Sequence, residues 1–182
     1  MINKKDFKLI RSLKWEEVFL FWHQCEGAQQ NWVNLAKQRG FASWADWRLT
    51  LYAVPFECAK ASWNLYEISN SAQIVPKFYG GPFKTWIKRH YGGAKEKTFE
   101  ELATQPDILN NKAVKSMVDN FPENKIISCL QVRNKIYVIE GSHRCCALAV
   151  INTQNKPAPK KLYFAIGKSS LKNLPIAGIV NA

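Results

Sequence analysis

The sequence lacks several features that identify particular classes of protein. No run approaches the ~20 apolar residues that a membrane-spanning helix needs. The N-terminal stretch MINKKDFKLIRSLKW has early lysines but no apolar core of the kind that a secretory signal requires. No Cys-x-x-Cys pair occurs, and the three histidines do not have the spacing of metal ligands. We therefore expect neither a membrane protein, nor a secreted protein, nor a zinc protein.

Acidic residues are also scarce, with 14 Asp and Glu against 26 Lys and Arg, a net charge of +12. This excess favours anionic partners such as nucleotides, nucleic acid or an anionic surface, although it is equally compatible with simple solubility. The five cysteines are an odd number without a secretion signal, which indicates reduced thiols and a cytoplasmic protein. A chain of 182 residues is long enough for one domain, or one domain with an extension.

The first half of the chain contains all seven tryptophans and has mainly helical patterns. One helical stretch is predicted from a cap at Ser12 to Gly40, with a division near Gly27. Its apolar residues recur at i, i+3, i+4 and i+7: Trp15, Val18, Phe19 and Trp22. A second helix is predicted from a cap at Ser43 to about Pro55. The sequence thus predicts a mainly helical region over residues 1–110.

The second half has a different pattern. Residues 110–121 predict an amphipathic helix. Two β-rich runs within residues 125–140 predict a hairpin that turns near Asn134. A helix over residues 145–151 and a last strand over residues 162–167 follow. We therefore predict an α+β protein.

The stretch KIYVIEGSHRCCA, residues 135–147, places a glycine and polar residues between a predicted strand and a predicted helix. The first backbone N–H groups of a helix lack partners within the helix and carry partial positive charge, so they can bind an anion. Gly141 allows a sharp turn and the close approach of a ligand. The junction between the strand and the helix, residues 140–144, is called the seam below. It therefore predicts a phosphate-binding site.

Each side chain at the seam suits that chemistry. Ser142 can cap the helix or donate to a phosphate oxygen, and His143 and Arg144 add further donors. Glu140 can hold Mg²⁺ or accept a proton. A plainer interpretation stays open, in which Gly141 and Ser142 form an ordinary helix cap and Glu140 pairs with Arg144 on the surface.

The stretch IEGSHRCCA resembles the signature of the ParB/sulfiredoxin-like superfamily, and the order helix, strand, strand, motif helix, strand around it agrees. The resemblance covers residues 110–168. It implies a small module, residues 111–182, with a mixed β-sheet and the motif helix. It also implies that Gly141, Ser142, His143 and Arg144 bind the phosphates of a nucleoside triphosphate with Mg²⁺.

The branches of this superfamily differ in what they imply. Sulfiredoxin has its catalytic cysteine where this chain has Ser142, so that reaction is not expected. Chromosome-partitioning ParB proteins carry a further DNA-binding domain that has no counterpart after the last predicted strand. A branch that resembles free-serine kinases keeps an acidic residue at the position of Glu140. We therefore expect a phosphotransferase or NTPase, with Glu140, His143 and Arg144 as catalytic residues and a nucleotide or another phosphorylated small molecule as ligand.

A basic and aromatic stretch, residues 77–97, leaves a second function open. Aromatic rings among cations can stack bases and follow phosphates, as in a non-enzymatic nucleic-acid-binding module. The same pattern is typical of a helix with its rings in the core and its lysines in water. The double glycines at 80–81 and 92–93 could also close over a ligand.

Overall fold

The computed structural model of the chain describes residues 6–179. The first five residues of the stretch compared with a secretory signal, and the last three residues of the predicted module, lie outside the described residues. Within residues 6–179, no helix combines the length and the apolar character needed to cross a membrane.

The structure is an α+β fold, as predicted, and its elements follow in chain order. The strands are β1 (Phe7–Leu13), β2 (Ser62–Ser69), β3 (Tyr79–Gly80), β4 (Ile127–Val132), β5 (Lys135–Glu140) and β6 (Lys161–Lys168). The helices are α1 (Trp15–Trp22), α2 (Gln30–Gln38), α3 (Trp44–Arg48), α4 (Ser71–Ile74), α5 (Lys84–Arg89), α6 (Phe99–Leu102), α7 (Pro106–Leu109), α8 (Lys112–Asp119) and α9 (Ser142–Thr153). Wider π-helical turns extend α1 over His23–Gly27 and α3 over Leu49–Ala53.

The strands form one mixed sheet in the order β1-β2-β6-β4-β5-β3. The pairs β1/β2, β2/β6 and β4/β5 are antiparallel, whereas β4/β6 and β3/β5 are parallel. In the predicted hairpin, Val132 pairs with Lys135 across a two-residue turn, and Arg133 adopts the left-handed conformation that the turn requires. The hairpin, α9 and β6 are all found where the sequence predicted them.

Helices cover both faces of this sheet. Alternate residues of β4 and β6 contribute to two separate apolar clusters, because successive side chains of a strand point to opposite faces. Cys129 and Phe164 pack on the face that is covered by the helices from α4 to α9. Leu130 and Ala165 pack on the opposite face with the tryptophans of α1 and α3. The sheet core therefore lies between two helical layers.

The described region before residue 111 is mainly helical, as predicted, but it also supplies β1, β2 and β3. β1 is an edge strand whose side chains are mostly exposed, so its sequence carries little apolar alternation. Ser12, predicted as a helix cap, instead lies in β1 and donates from its Oγ to the Asn64 side chain at 3.1 Å. Because one sheet contains strands from both sides of residue 110, the division into two domains stays a prediction.

Other helix ends that the sequence predicted are confirmed. Ser43 caps α3 by accepting the Asp46 N–H at 3.0 Å. Gly27 ends the first helical stretch, and Gly40, with φ +80°, follows the end of α2. These caps fix where the helices start and stop on the face that carries the tryptophans.

Candidate functional site

A cavity of about 720 Å³ lies at the carboxyl end of β5, where the two helical layers separate. All five residues of the predicted site, 140–144, line it. The opposite walls come from residues of α2, α3 and α5 and from the segment before β4. The strand-to-helix seam is therefore beside an open space of a size that suits a small-molecule ligand.

Gly141 shapes the start of α9. It caps the helix in the left-handed region, with φ +97° and ψ 21°, a conformation that glycine adopts without strain. Its carbonyl accepts the first helical hydrogen bond, from the Cys145 N–H at 3.0 Å. Within residues 6–179, the backbone N–H groups of Ser142, His143 and Arg144 have no acceptor. Because these residues line the cavity, this end of α9 offers donors and the positive end of the helix dipole to a ligand.

Arg144 and Glu140 form a buried ion pair beneath this turn. Arg144 donates to Glu140 Oε2 at 2.5 Å and to the Ile126 carbonyl at 3.2 Å, and its Nη2 lies 3.6 Å from Cys25 Sγ. The two side chains are only 6% and 9% exposed. The pairing that the sequence allowed on the surface is thus found in the interior. In this arrangement the guanidinium joins the end of β5 to α9. The N–H groups that it donates are bound to other atoms of the protein.

The pKa values at this pair follow from burial and mutual attraction. Burial raises the pKa of Glu140, and the adjacent Arg144 opposes that shift. For Arg144, burial acts to lower the pKa, but Glu140 raises it above its ordinary value. Burial, followed by the charge of Glu140, also raises the pKa of Cys25 to about 11. The Cys25 thiol is therefore neutral at physiological pH and a poor nucleophile, although it lines the cavity.

His143 lies near two aromatic neighbours on α5 and just after it. Its ring centroid is 5.5 Å from that of Trp86, and Trp86 in turn is 4.8 Å from the ring of His90. Burial lowers the pKa of His143, and the nearby His90 lowers it further. We therefore expect His143 to face the cavity as a neutral imidazole at pH 7.

Cationic side chains outnumber carboxylates around the cavity. The lining cations are Arg39, Arg48, Lys84, Arg89, Lys125 and Arg144, and the lining carboxylates are Glu26 and Glu140. Lys84 and Arg89 are exposed and make no ion pair within residues 6–179, whereas Lys125 donates to the Gln24 carbonyl at 3.3 Å. The wall near the α9 start is therefore positive and suits an anion.

The two carboxylates each have an arginine partner. Glu26 accepts from Arg48 Nε at 2.6 Å, and Glu140 accepts from Arg144. Within the described part of the chain, no group of three or more His, Cys, Asp or Glu side chains is placed to hold a metal ion. This donor set does not fit a Mg²⁺ ion held by protein carboxylates, because Glu140 would first have to leave Arg144. The predicted role of Glu140 as a Mg²⁺ ligand stays a prediction.

No family model, curated protein or solved structure matches this chain. The ParB/sulfiredoxin-like resemblance therefore rests on residues 110–168 of the sequence alone and stays a prediction.

The structure brings together the residues predicted at the seam and adds others that sequence reasoning missed. Lys84, Arg89 and His90 belong to the basic stretch that we read mainly as a helix with its lysines in water. They line the same cavity as Gly141. The mixture of cations and aromatic rings in that stretch was the signal that could have placed them. Lys125 carried no such signal, because it lies in a short polar loop before β4.

At the far side of the cavity the lining is aromatic. Arg48 lies against three rings, those of Trp32, Trp47 and Tyr52, at 4.2 to 5.2 Å from their centroids. Arg39 also lies over Trp47, at 4.6 Å. Trp47 is buried. The same ring forms part of the cavity wall, so one residue serves both the core and the cavity.

Proposed function

We propose that this chain binds a nucleotide or a similar phosphorylated small molecule in the cavity, with the phosphates at the start of α9. The observation that carries the proposal is the meeting, in one space of about 720 Å³, of an unpaired helix start with an excess of cationic side chains. Cavities of this size enclose ligands of the size of a nucleotide. A ligand that is anionic at one end fits this distribution of charge.

The phosphate end would bind chiefly to groups that have no other partner. The N–H groups of Ser142 and His143 are free to donate, as are the exposed amine of Lys84 and guanidinium of Arg89. Helix starts bind phosphate through such N–H groups together with the helix dipole. Arg144 has a different role in this proposal, since it holds the seam in shape through Glu140.

The remainder of the ligand would face the aromatic part of the lining. Trp86 lies beside the α9 start, and the half-buried Trp32 lies on the far wall. Indole rings provide flat surfaces on which a base can stack, at about 1–3 kcal/mol per base. The cavity therefore has surfaces for both parts of a nucleotide.

For a triphosphate ligand, the proposed reaction is transfer of the terminal phosphoryl group to water or to a hydroxyl acceptor. The ParB/sulfiredoxin-like resemblance favours this activity, and it suits a site whose contribution is position and positive charge. Any Mg²⁺ would be expected to come with the phosphates, because the carboxylates of the cavity are paired with arginines.

Binding can be tested by thermal denaturation of the full chain with ATP, CTP, GTP and inorganic phosphate, each with Mg²⁺. A nucleotide at 100 times its Kd adds roughly 2.7 kcal/mol of stability, which raises the midpoint measurably. We expect Lys84→Ala with Arg89→Ala to weaken binding about tenfold or more, because each lost charged hydrogen bond is worth roughly 1.5–3 kcal/mol.

Lys88→Ala is the matched control, since Lys88 is an exposed lysine of the same helix that does not line the cavity. Equal weakening by Lys88→Ala would show that only general charge matters. No stabilisation by any nucleotide or by phosphate would contradict the proposal.

Binding of nucleic acid is a second candidate, favoured by one observation. Lys84, Lys88 and Arg89 are all exposed on α5, and Lys84 and Arg89 also line the cavity. Affinity for single-stranded nucleic acid should then fall steeply from low to physiological salt, because phosphate contacts release counterions. It should also be reduced by Lys88→Ala, which nucleotide binding in the cavity should not be.

A further inference from the structure

His90 lines the cavity and is held by a carboxylate. It directly follows α5, and its Nδ1 is hydrogen bonded to Oδ2 of Asp107 in the first turn of α7. The other carboxylate oxygen, Oδ1, accepts the Ile108 N–H at 3.0 Å. The backbone of α7 therefore fixes the carboxylate, and the carboxylate fixes the ring. The His90 side chain is 14% exposed, so the imidazole is mostly enclosed but still accessible.

The second ring nitrogen of His90, Nε2, has no hydrogen-bond partner within residues 6–179. It is not one of the fully enclosed polar atoms without a partner among these residues, and His90 lines the cavity. A carboxylate on Nδ1 favours the tautomer whose Nε2 can accept a proton, and it stabilises the imidazolium that then forms. This is the arrangement of a general base held by a positioning residue.

Trp86 connects this dyad to the start of α9. Its ring centroid lies 4.8 Å from that of His90 and 5.5 Å from that of His143. The two histidines are close enough for a charge on His90 to disfavour protonation of His143. His90 and His143 are thus linked through one ring, and both line the cavity that would hold the proposed phosphates.

We propose that His90 is the general base of the proposed phosphoryl transfer and that Asp107 is its positioning residue. This inference rests on the proposed function. Nε2 of His90 takes a proton from a water molecule or a hydroxyl acceptor, and the oxygen of that acceptor forms a bond to the terminal phosphorus. The bond from that phosphorus to its bridging oxygen breaks, and its electron pair leaves with the diphosphate. The proton on His90 then passes to solvent.

A purely structural ion pair between α5 and α7 is the alternative interpretation. The pH dependence of the rate separates the two, provided that the other ionisable groups near the dyad are considered. These are Lys84 and Arg89 on α5 and His143 on α9 in the same cavity, and Cys146 of α9 near Asp107. Of these, only His143 is another imidazole, and its pKa is lowered by burial and by His90.

The test measures phosphate release from ATP, CTP and GTP with Mg²⁺ by the full chain from pH 5 to pH 9, beside nucleotide affinity by calorimetry. In the unmodified chain the rate should rise with pH as the base loses its proton. We expect His90→Asn to lower the rate about 100-fold or more with affinity unchanged. Asp107→Asn should lower the rate less than His90→Asn, again with affinity unchanged, because the imidazole loses the carboxylate that orients it.

Asp119→Asn is the matched control, since Asp119 pairs with Lys156 at the surface, away from the cavity. The rate of phosphate release by Asp119→Asn should equal that of the unmodified chain. His90→Gln serves if His90→Asn does not fold, as judged by circular dichroism. Nucleotide affinity without phosphate release, or release that His90→Asn leaves unchanged, would overturn the inference and leave nucleotide binding intact. The absence of nucleotide affinity would instead overturn the proposed function.

Discussion

Arg144→Met should lower the free energy of unfolding by about 3–5 kcal/mol, because it leaves Glu140 buried without its counter-charge. Met fills much of the arginine's volume without its charge, so the change removes the ion pair more than the packing. The guanidinium also donates to the carbonyl of Ile126, the residue before β4. Removal of the guanidinium therefore removes this hydrogen bond as well. Urea denaturation monitored by tryptophan fluorescence measures the change.

The pH dependence of this loss gives a sharper result. In Arg144→Met the pKa of Glu140 rises further above its ordinary value of about 4.3, because burial then acts without the opposing charge of Arg144. A carboxyl whose pKa is raised by folding is most favourable to stability when protonated, and that contribution is lost as pH rises through the raised pKa. The deficit against the unmodified chain should therefore be small near pH 4.5 and full at pH 8.

Glu140→Gln is the complementary variant, since it leaves Arg144 charged at every accessible pH. Gln does not ionise, so position 140 should add no pH dependence to the stability of this variant between pH 4.5 and pH 8. The double variant should recover part of the stability, because it leaves no unpaired buried charge. If both single variants lose less than about 1 kcal/mol, as exposed pairs do, the pair is not buried as described.

Gly141→Ala is the second change with a large expected effect. A Cβ at this position would lie 2.9 Å from Arg144 Nη2 and 3.2 Å from Ile127 Cγ1. The methyl would have to displace a guanidinium that is fixed by Glu140. We expect a cost of about 1–2 kcal/mol for the left-handed backbone and about 1–3 kcal/mol more for this crowding. Nucleotide binding should be lost with it, because the same turn presents the first N–H groups of α9.

Gly40→Ala separates the two costs. Gly40 has φ +80°, but a Cβ there would meet nothing within 4 Å. Gly40→Ala should therefore lose only the cost of the left-handed backbone, about 1–2 kcal/mol, and should bind nucleotide as tightly as the unmodified chain does. Chemical denaturation gives the stabilities, and calorimetry with MgATP gives the affinities. Equal losses in the two variants would contradict the tight packing of Arg144 against Gly141.

The sequence predicted the elements whose signals are local and strong. The hairpin of β4 and β5 carries β-branched residues on either side of a short turn, and α9 follows a glycine that ends the strand. Residues 69–82 carry the serines, glycines and prolines that are typical of a loop, yet they contain α4 and β3. β3 has only two residues, so its existence depends on pairing with β5, a long-range contact that no local pattern reports.

The position of the candidate site could be predicted from the sequence, but the hydrogen bonds and ion pairs within it could not. Glycine and polar residues between a strand and a helix located the seam. The sequence left Glu140 and Arg144 with two interpretations, a ligand site or an ion pair. Which interpretation holds depends on whether other parts of the chain bury the two side chains. Cys25, on a different helical stretch, lies against Arg144 and helps to bury the pair. Likewise, His90 and Asp107 are 17 residues apart, and only the packing of α7 against the end of α5 joins them.

The central claim is that the first turn of α9 receives a phosphate group, and amide chemical shifts test it most directly. The ¹⁵N-labelled full chain, at 20.9 kDa, can be titrated with MgATP, MgCTP, MgGTP and inorganic phosphate. We predict that the amides of Ser142, His143 and Arg144 show the largest shifts, because their N–H groups gain an acceptor. A saturable ligand that leaves these amides unchanged, or the absence of any shift with all four compounds, would contradict the claim.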